Sequence, residues 1–324
     1  MKKLTIFLLS LFPLVGMAQI QRHAITQEVT PTKSLTWEEK NIAEGIVLKS
    51  FLGYIDDFKS QQSINVLEID LDKSDKKLAI SHVYDLDRYM TIDSMSMRVD
   101  AIAGINATYA DAFREKGHDR TISTVKVDGE VLQTNVLPFD HIYSWKEEGC
   151  FYFSNDRKNI GILRGNRAVY QNLPVENVIS GSPMLIEHGI PVGYDFVPTD
   201  LPEVPSTIDS LNTLDYENPY RHQGVRHPRT AIGFVGENKI VMVTIDGRAQ
   251  QAEGMSCAEV TKLMYDYLGC EDALNLDGGG STTMWVKDFP GNGVVNYPSG
   301  SKNEDGTINH EGLRPLLNGI AILP

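Results

Sequence analysis

Hydrophobic and polar positions are most legible between Lys239 and Met284. Ile240, Val241, Met242, Val243, Thr244 and Ile245 form a near-continuous apolar run, the pattern of a strand buried on both faces, and it stops at Asp246-Gly247. Ser256 and Glu259 make a capping box, after which Val260, Leu263, Met264, Tyr267 and Leu268 recur at helical spacing until Gly269. Ala273 to Leu276 reads as a second short strand, again closed by an Asp-Gly pair, Asp277-Gly278. Strand, helix and strand in one sheet require parallel strands with a right-handed crossover. Both aspartates then emerge at the same sheet edge, where open α/β sheets take ligands.

Elsewhere the pattern is mostly of strands. Ile64 to Leu71 and Leu78 to Val83 are β-branched, apolar runs on either side of a turn at Asp72 to Lys77. Shorter strands are expected at Thr121 to Val127, closed by the Asp128-Gly129 turn, and at Gly149 to Ser154. Between Pro191 and Arg229 six prolines interrupt any periodicity, which marks a long loop suited to a lid or rim. The expected fold is α+β: a single large domain over residues 45–324, with a mixed β-sheet flanked by helices and one βαβ unit at residues 240–276. Residues 19–44 are polar and read as an N-terminal tail or leading helix.

The first residues change the picture of compartment. Lys2 and Lys3 precede an apolar run from Leu4 to Val15, and Gly16 and Ala18 set small residues at the −3 and −1 positions of a cleavage site. Residues 1–18 are therefore expected to be a signal peptide, with export to the periplasm or the exterior. The run is shorter than the ~20 apolar residues that span a bilayer, and no later stretch qualifies. Against 43 acidic side chains stand 30 Lys and Arg, a net charge of −13 without a basic block, so nucleic acid is not an expected partner. Of the 3 cysteines, Cys257 and Cys270 flank a helix that separates them by ~20 Å, beyond bridging distance, and free thiols are expected.

Candidate chemistry gathers at the two Asp-Gly pairs. Asp277 opens Gly278-Gly279-Gly280-Ser281-Thr282-Thr283, in which successive amides could form an anion-binding nest and the Ser281 and Thr282 hydroxyls add donors. The phosphate-loop signature of nucleotide-binding proteins is absent. Neighbouring strands lie ~4.8 Å apart, so carboxylates at the ends of adjacent or next-nearest strands stand ~5–10 Å from each other. That interval includes the spacings of both retaining and inverting glycoside hydrolysis. Arg229 sits where the long loop enters the strand Ala231 to Val235, and its planar fork suits phosphate. Asn106, alone in an apolar stretch, is either a hydrogen-bonding hub or a substrate ligand. His118, His222 and His227 lack metal-ligand spacing and read as loop histidines; neither a metal nor a cofactor is expected. Ser182 lacks the Gly-x-Ser-x-Gly frame of a nucleophile elbow.

Asn275-Leu276-Asp277-Gly278-Gly279-Gly280-Ser281-Thr282-Thr283-Met284 resembles the most specific block of the phosphodiester glycosidase family. Gly104-Ile105-Asn106, Ser180 to Ile186, Arg229 to Gly233, Ile245-Asp246-Gly247-Arg248 and Arg314 to Ala321 look like further family blocks, in family order. The resemblance runs from about Gly45 to Pro324. It departs at Asn106-Ala107-Thr108-Tyr109, where many members carry Asn-Gly-Gly-Phe, and in a longer Pro191 to Arg229 loop. It implies hydrolysis between a sugar anomeric carbon and a phosphodiester oxygen, on a small-molecule or glycan substrate. Asp277 or Asp246 would act as base or nucleophile. Asn106, Ser182, Arg229, Thr230, Arg248, Gly278, Gly279, Gly280, Ser281 and Thr282 would hold the substrate. A non-catalytic glycan-binding protein and a glycosidase acting on ordinary O-glycosides are the alternatives.

Overall fold

The computed structural model describes residues 28–84, 86, 88–109, 122–136, 144–194, 209–214 and 218–324. The expected leader at residues 1–18, His118 and much of the proline-rich loop lie outside these residues.

The described residues form three sheets. The largest has the order β1 (Glu38–Ala43), β2 (Ile46–Ile55), β3 (Ser60–Asp70), β14 (Lys239–Ile245), β13 (Arg229–Val235), β15 (Asp272–Asn275), β11 (Met184–Glu187) and β12 (Ile190–Pro191). The second runs β7 (Glu130–Gln133), β6 (Val125–Val127), β10 (Asn177–Gly181), β8 (Gly149–Phe153) and β9 (Ile160–Arg164). The third runs β16 (Met284–Val286), β5 (Ala103–Asn106), β17 (Asn318–Leu323) and β4 (Lys77–His82). Short helices join them: α1 (Ile92–Arg98), α2 (Arg167–Asn172), α3 (Asp209–Asn212), α4 (Pro219–Gly224) and α5 (Cys257–Lys262). The class is α+β, and the ladders between neighbouring strands are antiparallel.

Strand β14 explains its own apolar run. Ile240 and Met242 enter a core shared with Phe151, Phe153, Phe234 and Ile320, while Val241, Val243 and Ile245 pack against Val260, Leu263 and Met264 of the crossover helix. Each such side chain contributes about 1.5–3 kcal/mol on full burial, so the strand is held on both faces. The expected strand-helix-strand unit is present with one addition. Strands β14 and β15 are parallel to each other but both pair antiparallel with β13 between them. Their ends therefore share an edge with the start of β13, which places Asp246, Arg229 and Asp277 together.

The helix starts as its sequence requires: Ser256 Oγ accepts from Glu259 N at 3.2 Å, and Ser256 N donates to Glu259 Oε2 at 2.8 Å. It continues as a π-helical turn over Leu263–Tyr267 and ends at Gly269, whose φ of +70° suits glycine. The segment before Gly45 departs from expectation. Residues 38–43 are a strand paired with β2, and ahead of it Thr32 N and Lys33 N donate to Asp266 O at 2.9 Å. The described part of this segment is thus sheet and docked chain, neither helix nor free tail. An edge strand with the exposure pattern of β1, open on both faces, carries no hydrophobic alternation to read. All three cysteines are buried and unbridged. No helix among the described residues is long and apolar enough to cross a membrane.

Candidate functional site

One fully buried amide assembles the site. Asn106, at the end of β5, donates from Nδ2 to Asp277 O at 2.6 Å and accepts at Oδ1 from Thr230 Oγ1 at 2.7 Å and Thr283 N at 3.0 Å. Asp277 N donates to Ala107 O and Leu276 N to Thr230 O. Strands β5, β13 and β15 are locked around the aspartate in this way, with Asn106 as the hydrogen-bonding hub.

The glycine loop is a single 3₁₀ turn over Gly279–Ser281. Four of its amides are engaged within the protein: Gly279 N donates to Pro228 O, Ser281 N to Gly278 O, Thr282 N to Gly279 O and Thr283 N to Asn106 Oδ1. The turn engages these four donors; the Gly278 and Gly280 amides are not among them. The hydroxyls behave differently. Ser281 Oγ, Thr282 Oγ1, Thr283 Oγ1 and, next to Asn275, Ser182 Oγ are buried without a hydrogen-bond partner. Unmet buried hydroxyls cost about 1–3 kcal/mol each, a cost that a ligand with acceptor oxygens would relieve. Ser182 is otherwise structural, its carbonyl accepting from Tyr109 OH and Asn275 Nδ2 at 2.7 Å.

Asp246 shares the edge but faces inward. It is 1% exposed. Ser63 Oγ donates to its Oδ2 at 2.6 Å, and Asn296 Nδ2 and Tyr297 N donate to Oδ1 at 2.9 Å. Burial pushes the carboxyl up to about 6; the hydrogen bonds pull the other way and burial wins. Asn296 Nδ2 also reaches Thr282 O at 3.1 Å, so Asp246 is coupled to the glycine loop through one amide.

Three arginines surround the loop, with different commitments. Arg229 is 1% exposed; its Nε donates to Met255 O at 2.8 Å, and its Nη2 donates to His222 O and Val225 O at 2.7 and 2.8 Å. Most of its fork pins α4 and the following turn instead of facing a ligand. Arg248 and Arg314 make no hydrogen bond or ion pair among the described residues, yet both guanidiniums lie on the loop. A Cβ added at Gly279 would come within 3.0 Å of Arg248 Nη2, and one at Gly280 would collide with Arg314 Nη2. The bare glycine backbone lets two cations approach closely, and the φ of +61° at Gly279 suits glycine. Arg248 also holds a φ of +64°, a conformation that costs a non-glycine residue about 1 kcal/mol and recurs at functional sites.

Beside Arg229 lies an aromatic wall absent from the sequence reading. Tyr109, Trp145 and His222 pack with ring centroids 4.9 to 5.8 Å apart, and Lys146 Nζ stands 5.2 Å from the Tyr109 ring. Burial, then the Arg229 and Arg248 charges, push His227 down to about 3, and His222 is lowered for the same reasons. Both rings are neutral at ordinary pH. Arg314 entered the sequence reading only inside the closing block, since nothing local marks an arginine that lies across from Gly280. Among the described residues no group of three or more metal-ligating side chains gathers.

Comparison with known proteins agrees with this fold. The fold is similar to the catalytic domain of zebrafish N-acetylglucosamine-1-phosphodiester alpha-N-acetylglucosaminidase, solved auto-inhibited by its pro-peptide. The TM-score is 0.60 at 18% identity, covering 93% of this chain and 96% of that one. A hypothetical protein from Synechocystis gives a TM-score of 0.53 at 15% identity, over 89% of this chain and 64% of that one. The SPbeta prophage-derived uncharacterized protein YomE of Bacillus subtilis (strain 168) is 26% identical over 199 residues, which is 61% of this chain and 26% of YomE. The match thus spans about a quarter of that relative's length. The phosphodiester glycosidase family matches residues 100–323, more than two thirds of the sequence. The chain belongs to the phosphodiester glycosidase family.

Proposed function

We propose that this protein hydrolyses the bond between a sugar anomeric carbon and a phosphodiester oxygen: water adds to the sugar, and the phosphate leaves as a monoester. The observation that carries the reading is the pair of uncommitted guanidiniums, Arg248 and Arg314, on the glycine loop beside Asp277. Charged forks suit a phosphate. A departing phosphate monoester is a weak base, so the site needs fixed positive charge more than a strong acid. The neutral state of His222 and His227 agrees with that economy of protons. Asp277 then activates water or attacks the anomeric carbon, the Ser281 and Thr282 hydroxyls give donors to the phosphate, and Trp145, the partly exposed ring of the aromatic wall, takes the sugar face. Asp246, enclosed and fully hydrogen-bonded, positions the loop, and Arg229 and Asn106 hold the frame. The signal-peptide pattern of residues 1–18 supports export, and hence a substrate met outside the cytoplasm.

The test compares a sugar phosphodiester with the matched neutral O-glycoside. Arg248→Ala and Arg314→Ala are each expected to lower kcat/KM on the diester by about 10–100-fold, the loss of one charged hydrogen bond. Equal losses on both substrates would rule out phosphate recognition by these residues. Binding without turnover in the wild type would make the protein a glycan receptor.

A further inference from the structure

On the Arg314 side of the glycine loop lies a cavity of about 390 Å³, lined by Asp93, Asn292, Asn296, His310, Glu311 and Leu313 among others. It is contiguous with the site along two segments. Asn296 lines it while donating to Asp246 and to Thr282 O, and Leu313 lines it immediately before Arg314. Between them, Ser299 Oγ donates to Gly279 O at 3.4 Å. The side chains at its wall have an electrostatic character opposite to the rest of the site. Two carboxylates, Asp93 and Glu311, contribute to it and no lysine or arginine does, whereas Lys146, Arg229 and Arg248 surround the aromatic wall.

A phosphodiester has three parts, and the site has three matching regions in sequence. With the phosphate between Arg248 and Arg314 and the sugar on the aromatic wall, the ester alcohol extends past Arg314 into this cavity. Its carboxylates repel a second phosphate and attract a cation. The volume lies in the range of small-ligand pockets. We propose that this cavity is the alcohol-side subsite and that it selects an alcohol carrying an ammonium group, an amino alcohol or amino sugar. The inference rests on the phosphodiester reading above.

Two probes separate the two ideas. Aminoethyl and methyl diesters of one sugar 1-phosphate are compared in the wild type and in the double variant Asp93→Asn, Glu311→Gln. In the wild type the aminoethyl ester should have a KM about five- to tenfold lower, the scale of two partly solvated ion pairs. The double variant should lose that preference with the methyl ester unchanged. Calorimetric titration with aminoethyl phosphate and methyl phosphate repeats the comparison without turnover. No preference for the aminoethyl compound in the titration, or a preference retained by the double variant, overturns the subsite. A charge-dependent preference in binding, in a protein that cleaves neither diester, upholds the subsite and overturns the hydrolytic reading.

Discussion

Replacing Asp246 with asparagine removes a charge that the fold encloses completely, and the consequence can be worked from its surroundings. The carboxyl is 1% exposed and burial raises it from 3.8 to about 6. Between those values the folded state keeps a proton that the unfolded chain releases, so the contribution of this group to stability is complete below pH ~4 and declines as pH rises through about 6. A shift of about two units corresponds to about 3 kcal/mol, or about 5 °C in Tm for a chain of this size. Asparagine is geometrically acceptable: its oxygen can accept from Asn296 and Tyr297, and its amide can donate to Ser63 if that hydroxyl turns. Thermal unfolding of both proteins from pH 4 to pH 8 gives a difference curve in which other titrating groups cancel. Asp246→Asn should gain on the wild type by about 3 kcal/mol across pH 4 to 7. Parallel profiles would show that the carboxylate is not desolvated as its burial demands, and would reopen a reacting role for it.

Two further outcomes follow from the site. Asp277→Asn should lower turnover of a sugar phosphodiester by ~100-fold or more with an unchanged Tm, and a variant that folds and turns over normally would remove Asp277 from the mechanism. Arg229→Lys should destabilise the protein by about 3 kcal/mol, because an ammonium cannot reproduce bonds from two nitrogens to three carbonyls; an unchanged Tm with a raised KM would instead indicate direct phosphate contact.

What could be read from the sequence depended on whether the signal was local. The run Ile240 to Ile245, the Ser256-Glu259 box and the stop at Gly269 are local, and the structure reproduces each of them. The shared edge of Asp246 and Asp277 followed from crossover geometry, which tolerates an intervening strand. The direction in which Asp246 faces was not legible, since its partners Ser63, Asn296 and Tyr297 come from remote segments. Arg229 shows the same limit: a loop-to-strand position looks like an entrance to a site until α4 folds back over it and presents its carbonyls. Arg314, Trp145 and His222 reach the site only through the sheet order, and no spacing rule encodes that.

The place of β17 has a consequence for the timing of synthesis. It comes last in chain order among the described strands, yet it lies between β5 and β4, bonded to both. Until residues 318–323 have left the ribosome, the strand that carries Asn106 lacks a neighbour on one side, and nothing joins it to β4. The nascent chain must therefore wait with open strand edges through more than 200 residues of elongation after β5 has been made. A protein so arranged completes the frame around Asn106 only after β17 has left the ribosome, and a holding chaperone that shields edges should raise its yield more than a faster ribosome would.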